Sequence, residues 1–237
     1  MVQLTQNHPY VTLRVKFKKV GALQYVSHLD LVRTMHKIVT RAALPLWYTE
    51  GFNPKPKLIF AAPLSVGIES VTEYVDIKLV DDIPPEEAMS RLNANMTDEM
   101  QVLEAYYTET KPTTLKWLSY KITVHTDGAD EAVAELCNAL FASDVIEVAK
   151  KGKLGDEPKL VNIKPQIKSA AARYDSEIDA IVVDALLSSD SSAFLNPEYL
   201  VKAMRSYVGI LKNPDITSEF WSIMRLEAFT EDMTPFR

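Results

Sequence analysis

Apolar and polar positions alternate along residues 11–21, VTLRVKFKKVG, with Val11, Leu13, Val15 and Phe17 on one face and Gly21 closing the run. A period of two over this length predicts a strand. From Ser27 to Ala43 the period changes: Val32, Met35, Val39 and Ala42, with Leu31 and Ile38 beside them, recur at helical spacing. Ser27 is the predicted N-cap, and Asp30, three residues on, takes the acidic place of a capping box. Pro45 ends the helix. PLWYTEG then predicts a short strand or turn, and KLIFAAPLSV (57–66) and EYVDIKLV (73–80) predict strands. Pro84-Pro85 opens a helix, PPEEAMSRLNANM, with Glu86 and Glu87 in its first turn. MQVLEAYYTE (100–109) closes this set as a strand.

Lys111-Pro112-Thr113-Thr114 has linker composition, and the order of elements repeats beyond it. LSYKITVHT (118–126) predicts a strand, ADEAVAELCNALFAS a helix and VIEVAKKGK a strand. KLVNIKPQIKSAAARYD and EIDAIVVDALLSS predict a hairpin-like pair. Asn196 caps PEYLVKAMRSYVGI with Pro197 at the first helical position, and FWSIMRLEAFT (220–230) is the last strand. Each half reads β-α-β-β-α-β, with an extra short strand in the first. The expected fold is therefore α+β: two tandem ferredoxin-like domains with mostly antiparallel sheets, at residues 1–112 and 113–237.

With 47% hydrophobic and 24% charged residues the 237-residue chain has a globular composition. No apolar run approaches the ~20 residues that span a bilayer, and MVQLTQNHPY lacks the features of a secretory signal. A cytoplasmic protein without membrane association is expected. Cys137 is the one cysteine, so an internal disulfide or a cysteine-built cluster is excluded, and its apolar surroundings predict burial.

Charge sharpens this picture. The net charge of −6 conceals nine Lys/Arg against three Asp/Glu in residues 1–70, and 17 against 29 in residues 71–237. A basic segment inside an acidic protein fits either a polyanion-facing surface or a basic face docked onto the acidic remainder. On the first helix, Asp30, Arg33, Lys37 and Arg41 share a face. They read as a solvated flank, or as a row of cations that tracks phosphates. The loop Gly51-Phe52-Asn53-Pro54-Lys55-Pro56-Lys57 is stiffened by two prolines and combines aromatic and basic groups, with Trp47 and Tyr48 just before it. Stacked bases with neutralised phosphates call for this combination. A core role for Trp47 and Phe52 beneath a rigid loop is the competing account.

His28 is the one candidate for proton transfer. Beside Ser27 and two residues before Asp30, it could donate to that carboxylate and keep a free nitrogen, or simply serve the helix start. His36 lies off this face, so no i, i+4 His pair exists, and no catalytic, cofactor or metal signature is present in the chain.

Taken together, Phe17-Lys18-Lys19-Val20-Gly21, Ser27-His28-Leu29-Asp30-Leu31, Arg33, Arg41, Leu44-Pro45-Leu46, Gly51–Lys57, Pro63-Leu64, Gly67 and Glu73-Tyr74 resemble the radical-SAM-linked DUF2344 family. Where that family shows an Arg-Pro pair and a His-Arg pair, this chain has Lys164-Pro165 and Met224-Arg225. The resemblance implies a cobalamin-binding radical SAM protein as partner. That enzyme would carry the iron–sulfur cluster, S-adenosylmethionine and cobalamin, with no cofactor bound by this chain. Family members are often encoded near a ribonuclease of the E/G type and a ribosomal protein, which implies an RNA or ribosomal context. The resulting expectation is an accessory protein that presents Arg33, Lys37, Arg41, Phe52, Asn53, Lys55 and Lys57 to RNA, a ribonucleoprotein or its partner. A pure protein adaptor is one alternative. An RNA-processing endonuclease acting through His28 is the other.

Overall fold

In the computed structural model, which describes residues 10–150, 159–190, 192–213, 215 and 217–237, the chain divides into two units. One is Met1–Leu115 with Thr234–Arg237, the other Lys116–Met233. Sequence places the boundary at 112/113, inside the 3-10 turn Pro112–Thr114, and assigns residues 234–237 to the second domain; they pack instead on the first unit. The fold is mixed α and β, and the strand pairs within each unit are antiparallel.

In the first unit, β1 (Val11–Lys19), α1 (His28–Arg41), β2 (Leu58–Ala61), β3 (Glu69–Leu79), α2 (Pro85–Asn93) and β4 (Val102–Tyr107) follow in order. The sheet runs β4-β1-β3, with β2 on the outer edge of β3. Alternation on β1 sends Leu13, Val15 and Phe17 into a core shared with Leu31, Met35, Ile38 and Val39 of α1, Val75, Ile77 and Leu79 of β3, and Ala88 and Leu92 of α2. β3 starts at Glu69, earlier than its apolar alternation indicates, because Ser70, Thr72 and Glu73 are buried polar residues. β2 is shorter than the predicted 57–66.

The opposite face of this sheet carries a sealed ion pair. Arg14 lies directly across from Asp76 and is fully buried. Its Nε and Nη2 donate to Asp76 Oδ1 and Oδ2 at 2.7 and 2.9 Å. Nη1 donates to Thr110 Oγ1 at 2.8 Å, and Nη2 also to the Thr110 carbonyl at 2.9 Å. Phe236 closes the other side, with the guanidinium 4.4 Å above its ring and Tyr74 edge-on at 4.9 Å.

The second unit runs β5 (Trp117–His125), α3 (Glu131–Ala142), β6 (Glu147–Lys150), β7 (Lys159–Asn162), β8 (Ile167–Asp175), β9 (Ala180–Ser188), α4 (Glu198–Ala203) and β10 (Phe220–Phe229). Its sheet order is β10-β5-β9-β8. The segments expected as two long strands, VIEVAKKGK and KLVNIKPQIKSAAARYD, behave differently: β6 pairs with β7 as a separate ribbon, a 3-10 turn at Lys164–Gln166 follows, and β8 alone joins the sheet. Residues 151–158, like most of MVQLTQNHPY, lie outside the described residues. Lys164 donates to the Phe141 carbonyl in the last turn of α3, where a cation is favoured. Cys137 is buried in α3, and burial pushes its thiol up to about 11. The Glu219 carboxylate accepts from Thr126 Oγ1 at 2.5 Å, Asp127 N at 3.0 Å and Asn213 N.

Two predictions follow from these buried groups. Asp76→Ala strands a charge in the interior and is expected to cost about 3–5 kcal/mol in urea unfolding, while Arg14→Met with Asp76→Leu recovers most of that loss. The Thr126 hydroxyl, with the Asn213 and Asp127 amides, holds the Glu219 carboxyl below its ordinary 4.5. A depressed folded value stabilises above the unfolded one and is lost as pH falls through the folded one. Thermal melts below about pH 4.5 should therefore decline less steeply in Glu219→Gln than in the native chain.

Candidate nucleic-acid interface

The entry into α1 is fixed by groups far apart in sequence. Buried Lys19 donates to the Leu23 and Gln24 carbonyls at 3.0 and 3.3 Å, holding the 3-10 turn Gly21–Tyr25. Gly21 has φ +61°, and a Cβ there would lie 2.2 Å from Glu99 Oε1. Its N–H donates to Glu69 Oε1 at 2.6 Å. Glycine is required here by both backbone and space. Gly67 N–H donates to the Gln24 carbonyl at 2.9 Å, tying the loop after β2 to the same turn.

Ser27 then caps α1: its Oγ accepts from Asp30 N at 3.2 Å and donates to Asp30 Oδ2 at 2.8 Å. Asp30 Oδ1 accepts from Arg33 Nη1 at 3.0 Å. The Ser27 hydroxyl first, and Arg33 second, hold the Asp30 carboxyl below its ordinary value. No His28–Asp30 hydrogen bond forms. Instead, the His28 ring stands edge-on to Phe60 with centroids 5.4 Å apart, and its Nδ1 is buried without a hydrogen-bond partner among the described residues.

Beyond the cap, Arg33, Lys37 and Arg41 are all exposed, in line with exposed Leu29 at four-residue steps. Arg33 is engaged with Asp30; Lys37 and Arg41 have no acidic partner among the described residues. The ridge therefore presents uncompensated positive charge.

Residues 46–57 form an irregular hairpin carried on the edge of β3. Trp47 N donates to the Lys78 carbonyl at 2.9 Å, and Lys78 N donates to the Lys57 carbonyl at 3.1 Å. Between the arms, Lys57 N reaches the Trp47 carbonyl at 3.0 Å and Thr49 N the Lys55 carbonyl at 2.9 Å. Thr49 Oγ1 accepts from Lys55 N at 3.1 Å. Gly51 turns the tip with φ +115°. Asn53, Lys55 and Lys57 are exposed, and Phe52 is wholly so, at 112% relative accessibility. The core role considered for Phe52 is thereby overturned. Trp47 is half-buried and packs on Tyr10 at 5.2 Å.

His36, which sequence separates from every other candidate, joins the two features. Its Nδ1 lies 2.9 Å from the Val32 carbonyl one turn back, and its Nε2 lies 3.0 Å from the Pro56 carbonyl in the hairpin. The contact spans 20 residues, so no local motif signals it. All seven anticipated binding residues thus lie on two elements linked by one histidine. Among the described residues no group of three or more His, Cys, Asp or Glu could hold a metal ion, and no helix is long and apolar enough to cross a membrane.

Removing the cap tests how α1 is held: Ser27→Ala should cost about 1 kcal/mol in chemical denaturation, and Ser27→Asp should restore most of it.

A family model described as "Uncharacterized protein conserved in bacteria (DUF2344)" matches residues 12–197. No curated protein matches the sequence. Among solved structures, the crystal structure of a Cbf5-Nop10-Gar1 complex is 11% identical with a TM-score of 0.49, covering 95% of this chain and 51% of that one. The chain thus spans about half the length of that structure's chain. An unknown protein from Galdieria sulphuraria is 9% identical with a TM-score of 0.26, covering 91% of this chain and 98% of that one. Likenesses this distant identify neither a ligand nor an activity.

Proposed function

The chain belongs to the DUF2344 family, and we propose that it is an accessory binding protein whose α1 ridge and 46–57 hairpin receive RNA or a ribonucleoprotein. The observation that carries this reading is Phe52, an aromatic ring fully in solvent on a braced hairpin that also carries exposed Lys55 and Lys57, neither with an acidic partner among the described residues. An exposed ring of this kind gains nothing from folding, and large apolar side chains left in solvent mark contact surfaces. Bases present π-faces to such a ring while Lys37, Arg41, Lys55 and Lys57 neutralise phosphates. The charge is local: the first unit holds 13 Lys/Arg against 13 Asp/Glu and the second 13 against 19.

The scaffold in this reading is a tandem of ferredoxin-like units. It is supported by the strand orders β4-β1-β3-β2 and β10-β5-β9-β8, which place the last strand beside the first in each unit. The β6–β7 ribbon is then an insertion in the second copy. The family resemblance adds the partner, a separate cobalamin-binding radical SAM enzyme that supplies the iron–sulfur cluster, S-adenosylmethionine and cobalamin. The function of this chain is to hold and present, and chemistry belongs to the partner.

Filter binding with unstructured RNA at several salt concentrations tests the proposal. Lys55→Glu with Lys57→Glu should weaken binding by at least tenfold and flatten the salt dependence. Phe52→Ala should cost about 1–3 kcal/mol with the salt slope unchanged. Absence of salt-dependent RNA affinity in the native chain overturns the RNA assignment. Capture of the radical SAM partner that survives high salt and is lost in Phe52→Ala would then identify the surface as a protein-docking site.

A further inference from the structure

Both ring nitrogens of His36 face carbonyl oxygens, and a carbonyl oxygen can only accept. A neutral imidazole carries a single N–H, so it can satisfy Val32 or Pro56, and its other nitrogen then points a lone pair at an oxygen. Only the imidazolium donates to both. We infer that His36 is a proton-operated tie between α1 and the hairpin, and, resting on the proposed role of this surface, that polyanion binding and proton uptake at His36 reinforce each other.

The charges around the tie give the coupling its sign. On α1 the titratable and charged groups are His28, Asp30, Arg33, Lys37 and Arg41; on the hairpin they are Tyr48, Glu50, Lys55 and Lys57. Asp30 is committed to Ser27 and Arg33. Lys55 and Lys57 flank the acceptor residue Pro56, and Lys37 follows His36 directly. Phosphates laid along the ridge attract the positive charge that protonation adds, so the bound state favours the imidazolium. By reciprocity, the imidazolium favours the bound state by the same factor. Protonation also fixes the hairpin that carries Phe52 to α1 through the Pro56 carbonyl. Affinity rises as pH falls across the histidine range, between about pH 8 and 5, by at most about tenfold per pH unit for one linked proton.

Two measurements on the full chain separate this inference from the function it rests on. In the free protein, the amide signals of Thr49, Lys55 and Lys57 should titrate together with the His36 ring by NMR, and the same amides should stay flat in His36→Gln. Binding of an oligouridylate at fixed salt should strengthen several-fold from about pH 8 to 6 in the native chain, and by much less in His36→Gln. Hairpin amides that do not follow His36, or that titrate unchanged in His36→Gln, overturn the tie. Amides that follow His36 with no RNA bound at either pH uphold the tie and sink the RNA role. RNA binding whose pH dependence is the same in both proteins overturns the coupling.

Discussion

The first unit depends on a guanidinium and a carboxylate locked together out of water. Arg14 and Asp76 stand opposite each other on β1 and β3, and the guanidinium bonds to Asp76 and Thr110, both within the unit. Such a pair is costly to bury and tolerable only when fully satisfied. It therefore fixes register: a slip of β1 by one residue would turn Arg14 into the apolar core, bring Leu13 out and leave the Asp76 carboxylate without its partner. The same register sets Lys78, two residues along β3, whose peptide N–H and carbonyl hold both arms of the hairpin. The hairpin of the proposed binding surface is thus positioned, through one strand, by an ion pair on the far face of the sheet.

Much of the family pattern serves this frame rather than the surface. Lys19 and Gly21 set the turn into α1, Gly67 ties the following loop to that turn, and Leu64 is buried. Each constrains where Ser27 begins the helix, and hence where Arg33, Lys37 and Arg41 emerge.

The parts legible in sequence were those with a local cause. Periodicity located β1 and α1, the Ser27 cap formed as its spacing indicates, and Pro-Gly chemistry marked the stiff loop. The parts that escaped depend on distant partners. His36 meets Pro56 across 20 residues, and Phe236 finds Arg14 and Tyr74 from the far end of the chain. Ser70 and Thr72 extend β3 because burial there is polar, which apolar alternation cannot register. Phe52 shows the same limit in reverse, since composition alone does not tell an aromatic that packs inward from one that a braced turn holds outward.

The hairpin has a consequence for the energetics of recognition. Pro54, Pro56 and the cross-arm hydrogen bonds mean that the chain surrenders the conformational freedom of this segment when it folds. Under the proposed function, a ligand arriving at Phe52 would meet a segment already ordered, and little of its contact energy would be spent on ordering a loop. Encounter with such a surface is governed by diffusion and charge rather than by waiting for a rare conformer. Stiffness at the tip converts directly into contact energy and speed of capture.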